Sequence, residues 1–157
     1  MPFGFMQGLT ISSVQAADQH VVVGLLIAQM REHRIEPQRD SLSQIVTSAL
    51  RDEQYGFLLL ARLGSQIIGV AYVATILSVE HGGRVGWLEE LYVLPEHREH
   101  GVGTALLSAV LERAQGLGLV AVDLEVDVEH QRAESLYGRF GFRKLPRSRW
   151  VKELDPG

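Results

Sequence analysis

Apolar residues first recur at helical spacing after Asp18, where Val22, Leu25, Leu26 and Met30 fall three and four apart. Ahead of them, residues 9–14 read as a short strand and residues 1–8 as a loose start. Pro37 breaks the helical pattern, and Asp40 or Ser41 restarts it as an N-cap. Leu42, Ile45, Val46 and Leu50 then stripe a second, less apolar helix that Gly56 closes. From there the pattern changes to strand chemistry. Phe57-Leu58-Leu59-Leu60-Ala61 is a short apolar run, residues 63–66 are a turn, and residues 67–79 are rich in β-branched and aromatic side chains. Together they predict an antiparallel hairpin. After the turn His81-Gly82-Gly83, a strand over 85–94 ends at Pro95. Gly101 opens a strong helix with Val102, Ala105, Leu106, Ala109, Val110 and Ala114 on its buried side, stopped by Gly116 and Gly118. In residues 119–126, Val120, Val122, Leu124 and Val126 alternate with Ala121, Asp123 and Glu125 as another strand. A last helix carries Ala133, Leu136, Tyr137 and Phe140 and closes at Gly141. Residues 142–154 suggest one or two further strands around Pro146.

The order is β, α, α, β, β, β, α, β, α, β, with no internal repeat or linker. A strand-helix-strand unit in the second half implies parallel pairing and the first half is hairpin-like, so a mixed α/β sheet covered by helices is the economical fold. A length of 157 residues suits one domain, residues 1–157. With 46% apolar and 22% charged residues the chain has a globular profile. Fifteen Lys and Arg against nineteen Asp and Glu leave a formal charge of −4, which argues against a nucleic-acid partner and suits a cationic one. Cysteine is absent, so disulfides and thiolate chemistry are excluded. The first residues lack the features of a secretory leader, and no run approaches the ~18–20 apolar residues that span a bilayer. The expectation is a cytoplasmic protein without a membrane partner.

Chemistry concentrates where the strand over 85–94 runs through a loop into Arg98-x-x-Gly101-x-Gly103 at a helix start. The first helical turn leaves N–H groups without partners and adds partial positive charge, and glycines let an anion such as a pyrophosphate come close. Arg98 adds a fixed charge. A tight turn with packing glycines would give the same pattern, so the placement between strand and helix is what sharpens it. A second stretch, residues 130–142, presents Tyr137 near the end of a helix before Gly141-Phe142. A phenol with a pKa near ~10 is a reasonable proton donor in a cleft, although a buried core aromatic would look alike.

Together the two stretches resemble the GNAT superfamily of acetyl-CoA-dependent N-acetyltransferases. The likeness rests on Leu91-Tyr92-Val93-Leu94-Pro95 with Arg98-x-x-Gly101-x-Gly103, and on Ala133-x-x-Leu136-Tyr137-x-x-x-Gly141-Phe142. It is good over residues 57–144 and extends to residues 9–56 in element order only. The resemblance implies a mostly antiparallel sheet of six or seven strands with a central splayed parallel pair and helices on both faces. It implies that the backbone around Val93 pairs with the pantetheine amides of acetyl-CoA. The pyrophosphate would sit over the amides of Glu99, His100, Gly101, Val102, Gly103 and Thr104, with Arg98 anchoring the loop. Tyr137 would hold or protonate the departing CoA sulfur. Glu89 matches the carboxylate base of the diamine acetyltransferase branch, whose strand also reads Leu-Glu-acidic; other branches place that base at the position of Trp87. Two departures stand out: Glu99 replaces a frequent glycine, and His130 replaces a frequent asparagine that contacts the pantetheine arm.

On this reading the chain acetylates a primary amine by direct attack, with Glu89 as base and Tyr137 as acid. Strand alternation would put Glu89 and Glu90 on opposite faces. The acceptor's identity is open between small molecule, peptide and protein, with a small cationic amine favoured by the acidic balance. A homodimer is common in the superfamily. His97-x-x-His100 lacks a third ligand, and no metal is expected. Two other readings compete. One is a regulatory module that binds acetyl-CoA without catalysis. The other is a dinucleotide-binding oxidoreductase, against which Leu106 occupies the third glycine position and the strand-to-glycine loop is too long.

Overall fold

The computed structural model describes residues 6–127 and 131–156, which divide into a large unit ending at Glu125 and a small one beginning at Val126. In the large unit, β1 (Leu9–Ser13), β2 (Phe57–Leu63), β3 (Gln66–Ser78), β4 (Gly83–Val93) and β5 (Ala121–Asp123) form one sheet in sequence order. The first three pairings are antiparallel and β4–β5 is parallel. Between them lie α1 (Gln19–Glu32), α2 (Arg39–Arg51) and α3 (Val102–Gly116).

Both faces of the sheet are covered, which explains why β2 is buried from Phe57 through Ala61 rather than alternating. On one face Leu58, Leu60, Val70 and Tyr92 join Val22, Val23, Leu26 and Val46 of α1 and α2 in a single apolar cluster. On the other face a Cβ added at Gly69 would meet Ala61 and Leu106 of α3, so this side packs against the Leu106, Leu107 and Val110 stripe. Each helix thus buries the stripe that its apolar spacing lays out. α2 begins at Arg39 with Gln38 as its cap, two or three residues earlier than the predicted caps Asp40 and Ser41.

Three expectations are corrected. Among the described residues the sheet has five strands, not six or seven, and the parallel pair lies at its edge rather than its centre. Residues 142–154 form no strand; Pro146 lacks a donor, and the run around it does not alternate. The predicted strand over 119–126 shrinks to Ala121–Asp123 because its start caps α3: Leu119 N–H bonds the carbonyl of Ala114, and Gly118 adopts φ +75°. Of the acidic positions in that predicted strand, Asp123 ends β5 and Glu125 lies beyond it. Asp123 approaches His81 at 3.4 Å.

The small unit contains α4 (Gln131–Arg139). Its C-terminus is closed by Gly141 at φ +88°, with Gly141 N–H on the carbonyl of Gly138 and Phe142 N–H on that of Tyr137. No described helix is long and apolar enough to cross a membrane.

Candidate active site

β4 separates from β5 after three pairs, the last being Trp87 with Asp123. Among the described residues no strand pairing continues beside residues 88–93 on that side. Which backbone groups meet the open edge follows from the β3 side. Leu94 N–H bonds Ile68 O while Gly69 lies opposite Val93, so Gly69–Val93 is a non-hydrogen-bonded pair. Val93 therefore turns its own N–H and C=O away from β3, toward the open edge. Leu91, opposite Ala71, is two residues back and does the same.

Beyond β4, a single turn of 3-10 helix, Pro95–His97, leads into Arg98. Glu99 follows at φ +65°, a left-handed conformation that few non-glycine residues adopt. This gives a physical reason why glycine is frequent here in the superfamily. Gly101 is also left-handed, at φ +84°, and caps α3, whose first backbone bond runs from Ala105 N–H to Gly101 O. The amides of Val102, Gly103 and Thr104 precede that bond and project from the helix N-terminus. A Cβ at Gly101 would meet nothing within 4 Å. An extended edge with outward amides, ending at an open helix N-terminus, fits a ligand with an amide-bearing arm and an anionic head. Arg98 is engaged at Val93 and Glu32. Its Nε donates to Val93 O at 2.9 Å, its Nη2 donates to both Glu32 oxygens at 2.9 Å, and its guanidinium carbon lies 5.4 Å from the Tyr92 ring centre. These contacts tie the start of the loop to the end of β4 and to the end of α1. His100 Nδ1 lies 2.6 Å from Arg98 O, another contact within the loop.

The two carboxylates of β4 are not on opposite faces. Tyr72 pairs with Glu90 and Val73 with Leu88, so Glu89 is the extra residue of a β-bulge. Val73 and Leu88 face α3, as do Ala71 and Leu91, and the bulge leaves Glu89 and Glu90 together on the α1 side. The electrostatics agree. Glu89 acts on both Glu90 and the Tyr72 phenol, and Gln29 of α1 forms a hydrogen bond with Glu90. Glu90 is pushed up to about 7, by burial first and the Glu89 charge second, against the opposing Gln29 bond. Glu89 is exposed. Tyr72 is raised by burial and then by Glu89, and its hydroxyl donates to Tyr55 O at 3.1 Å. Sequence reasoning named Glu90 but put it on the opposite face by assuming unbroken alternation, and it missed Gln29, which only the packing of α1 on the sheet brings near.

In the small unit, Tyr137 packs edge-on against Phe142 with ring centres 5.7 Å apart. Burial raises its phenol above the ordinary value, so it stays protonated at neutral pH and can act as a donor. His130 lies outside the described residues.

Comparison with known proteins meets this geometry. The model of the acetyltransferase (GNAT) family matches residues 19–142. The mycothiol acetyltransferase of Pseudarthrobacter chlorophenolicus is 33% identical over 127 residues, which are 77% of this chain and 37% of that protein. The thialysine N-epsilon-acetyltransferase of Mus musculus is 33% identical over 85 residues, 54% of this chain and 49% of that protein. These aligned regions leave more than half of each relative unmatched. Among solved structures, an aminoglycoside N-acetyltransferase in complex with CoA superposes with a TM-score of 0.80 at 19% identity, covering 98% of both chains. A predicted acetyltransferase of Clostridium acetobutylicum solved with acetyl-CoA gives 0.78 at 19% identity, covering 92% of this chain and 96% of that one. At such identities these structures establish the shared fold, while the family match spans most of the sequence. The chain belongs to the GNAT acetyltransferase family.

Proposed function

We propose that this protein transfers the acetyl group of acetyl-CoA to a primary amine, favouring a small cationic one. The observation that carries the reading is the β4 edge, unpaired beyond Trp87 among the described residues and turning Val93 N–H outward, with the loop after it leading to the N-terminus of α3. The edge suits the pantetheine arm, and the amides of residues 99–104 suit the pyrophosphate. When bound, acetyl-CoA supplies an activated acyl carbon and a thiolate leaving group.

An amine with a pKa near 10.4 is only ~0.04% neutral at pH 7, so the site must remove a proton before nitrogen can attack. Glu89, exposed on the bulge, takes that proton. Glu90 on the same face, ionised as pH rises through 7, adds negative charge there that attracts an ammonium. Val93 N–H faces the acetyl oxygen as negative charge develops there. The C–N bond forms as the C–S bond breaks, and the thiolate receives a proton from Tyr137. The Tyr137 assignment is carried by its motif and by the burial that keeps the phenol protonated. The relative named for thialysine supports a small amine as acceptor.

The test is release of free thiol from acetyl-CoA across a panel of amines. Glu89→Gln should lower kcat by about 10²-fold or more with acetyl-CoA affinity unchanged, and Tyr137→Phe should lower it by about tenfold or more. Unchanged turnover in Glu89→Gln removes Glu89 as base. Tight acetyl-CoA binding with no thiol release from any amine would favour a binding module.

A further inference from the structure

Arg98 opens the loop that leads to the α3 N-terminus, yet its Nε and one of its two Nη groups are engaged away from that terminus. Glu32, the last residue of α1, receives two bonds at 2.9 Å from one guanidinium nitrogen. The Nε caps Val93 O, and the guanidinium lies over Tyr92, on the sheet face that α1 covers. The amides of residues 102–104, by contrast, belong to α3 on the other face. The loop therefore crosses the end of β4 with its cation tied to one side and its amides offered on the other. The cap also gives the open edge a polarity: at Val93 the carbonyl is taken and the N–H is left for a ligand.

We propose that Glu32 is a positioning residue for the cofactor loop, holding Arg98 so that the loop amides and Val93 N–H stand ready while Arg98 itself is not a phosphate ligand. The ligand named here rests on the acetyl-transfer reading; the loop geometry does not. Glu32 lies 66 positions from Arg98, beside the connection between α1 and α2. It thus joins the first helix to the cofactor loop.

The experiment measures acetyl-CoA binding by calorimetry for the parent, Glu32→Gln, Glu32→Asp, Arg98→Gln and the Glu32→Gln/Arg98→Gln double variant. It also measures amide hydrogen exchange of residues 96–101 without ligand. Glu32→Gln should weaken binding about three- to tenfold, with Glu32→Asp partly restoring it. The double variant should bind no more weakly than Arg98→Gln alone, because the two residues act as one unit. Loop exchange should be faster in Glu32→Gln than in the parent. Unchanged affinity, additive losses, or tighter binding in Glu32→Gln would each overturn the proposal; tighter binding would mean that Glu32 restrains a phosphate-binding arginine. If the parent itself fails to bind acetyl-CoA, the acetyl-transfer reading falls, and loop exchange alone then decides whether Glu32 positions the loop. Unchanged exchange overturns it.

Discussion

Glu90 and Glu99 both contradict a simple local rule. Glu90 is a half-buried carboxylate with its pKa near 7, raised from 4.5 by burial and by Glu89. Below pH 4.5 both folded and unfolded chains hold the proton. Between 4.5 and 7 the folded state keeps it while the unfolded state releases it, so this group's contribution to stability falls as pH rises through that window and levels off above it. Glu90→Gln, neutral throughout, should remove the fall. Chemical denaturation at pH 5 and pH 8 should show the variant gaining roughly 1–3 kcal/mol on the parent at the higher pH, a range discounted for partial exposure. An equal gain at both values would contradict the assignment. Glu99 occupies left-handed backbone at φ +65°. Glu99→Gly should relieve that strain and raise stability by about 0.5–1 kcal/mol, net of the entropy that glycine adds to the unfolded chain. It should also tighten acetyl-CoA binding by removing a negative charge beside the loop amides. Weaker binding in titration calorimetry would mean that the carboxylate supports the loop. Neither conformation nor burial could be read from these residues' identities alone; the glycine expected after Arg98 was the one clue.

At the level of elements, β4 was legible in outline and misread in detail. Its apolar run, Pro95 and the glycines of residues 101 and 103 marked a strand, a loop and a helix start in the right places. The bulge at Glu89 escaped because it depends on the register of β3 against β4, a relation between distant segments that alternation within one strand does not encode. Arg98 gives a second case: its spacing marked the loop, but its partner Glu32 could be found only in three dimensions. Gly86 shows what the β4–β5 ladder requires. A Cβ there would lie 2.8 Å from Val73 Cγ1 and 3.3 Å from Leu119 Cδ1, and Val73 is a stiff β-branched side chain that is fully buried. Gly86→Ala should destabilise the fold by about 1–3 kcal/mol through overpacking, read from the denaturation midpoint. A neutral substitution would mean that the ladder has more room than these distances allow.

For the whole molecule, hydropathy patterning gave the order of elements and the two-faced burial of the sheet, since both follow from periodicity. It overcounted strands where Pro146 and charged residues interrupt the tail. The family assignment needed two motifs in order, and the structure adds the physical sense of the first. That motif builds an opened sheet edge that runs into an amide-lined helix start. The direct measurement of the account is thermal unfolding of the protein with acetyl-CoA, NAD or ATP at equal concentration. A ligand at 100 times its Kd adds ~2.7 kcal/mol, and each kcal/mol moves Tm by roughly 2–4 °C in a chain of this size. The account predicts a rise of several degrees, about 5–10 °C, with acetyl-CoA and none with NAD or ATP. A rise with NAD or ATP instead, or no response to acetyl-CoA, would contradict it.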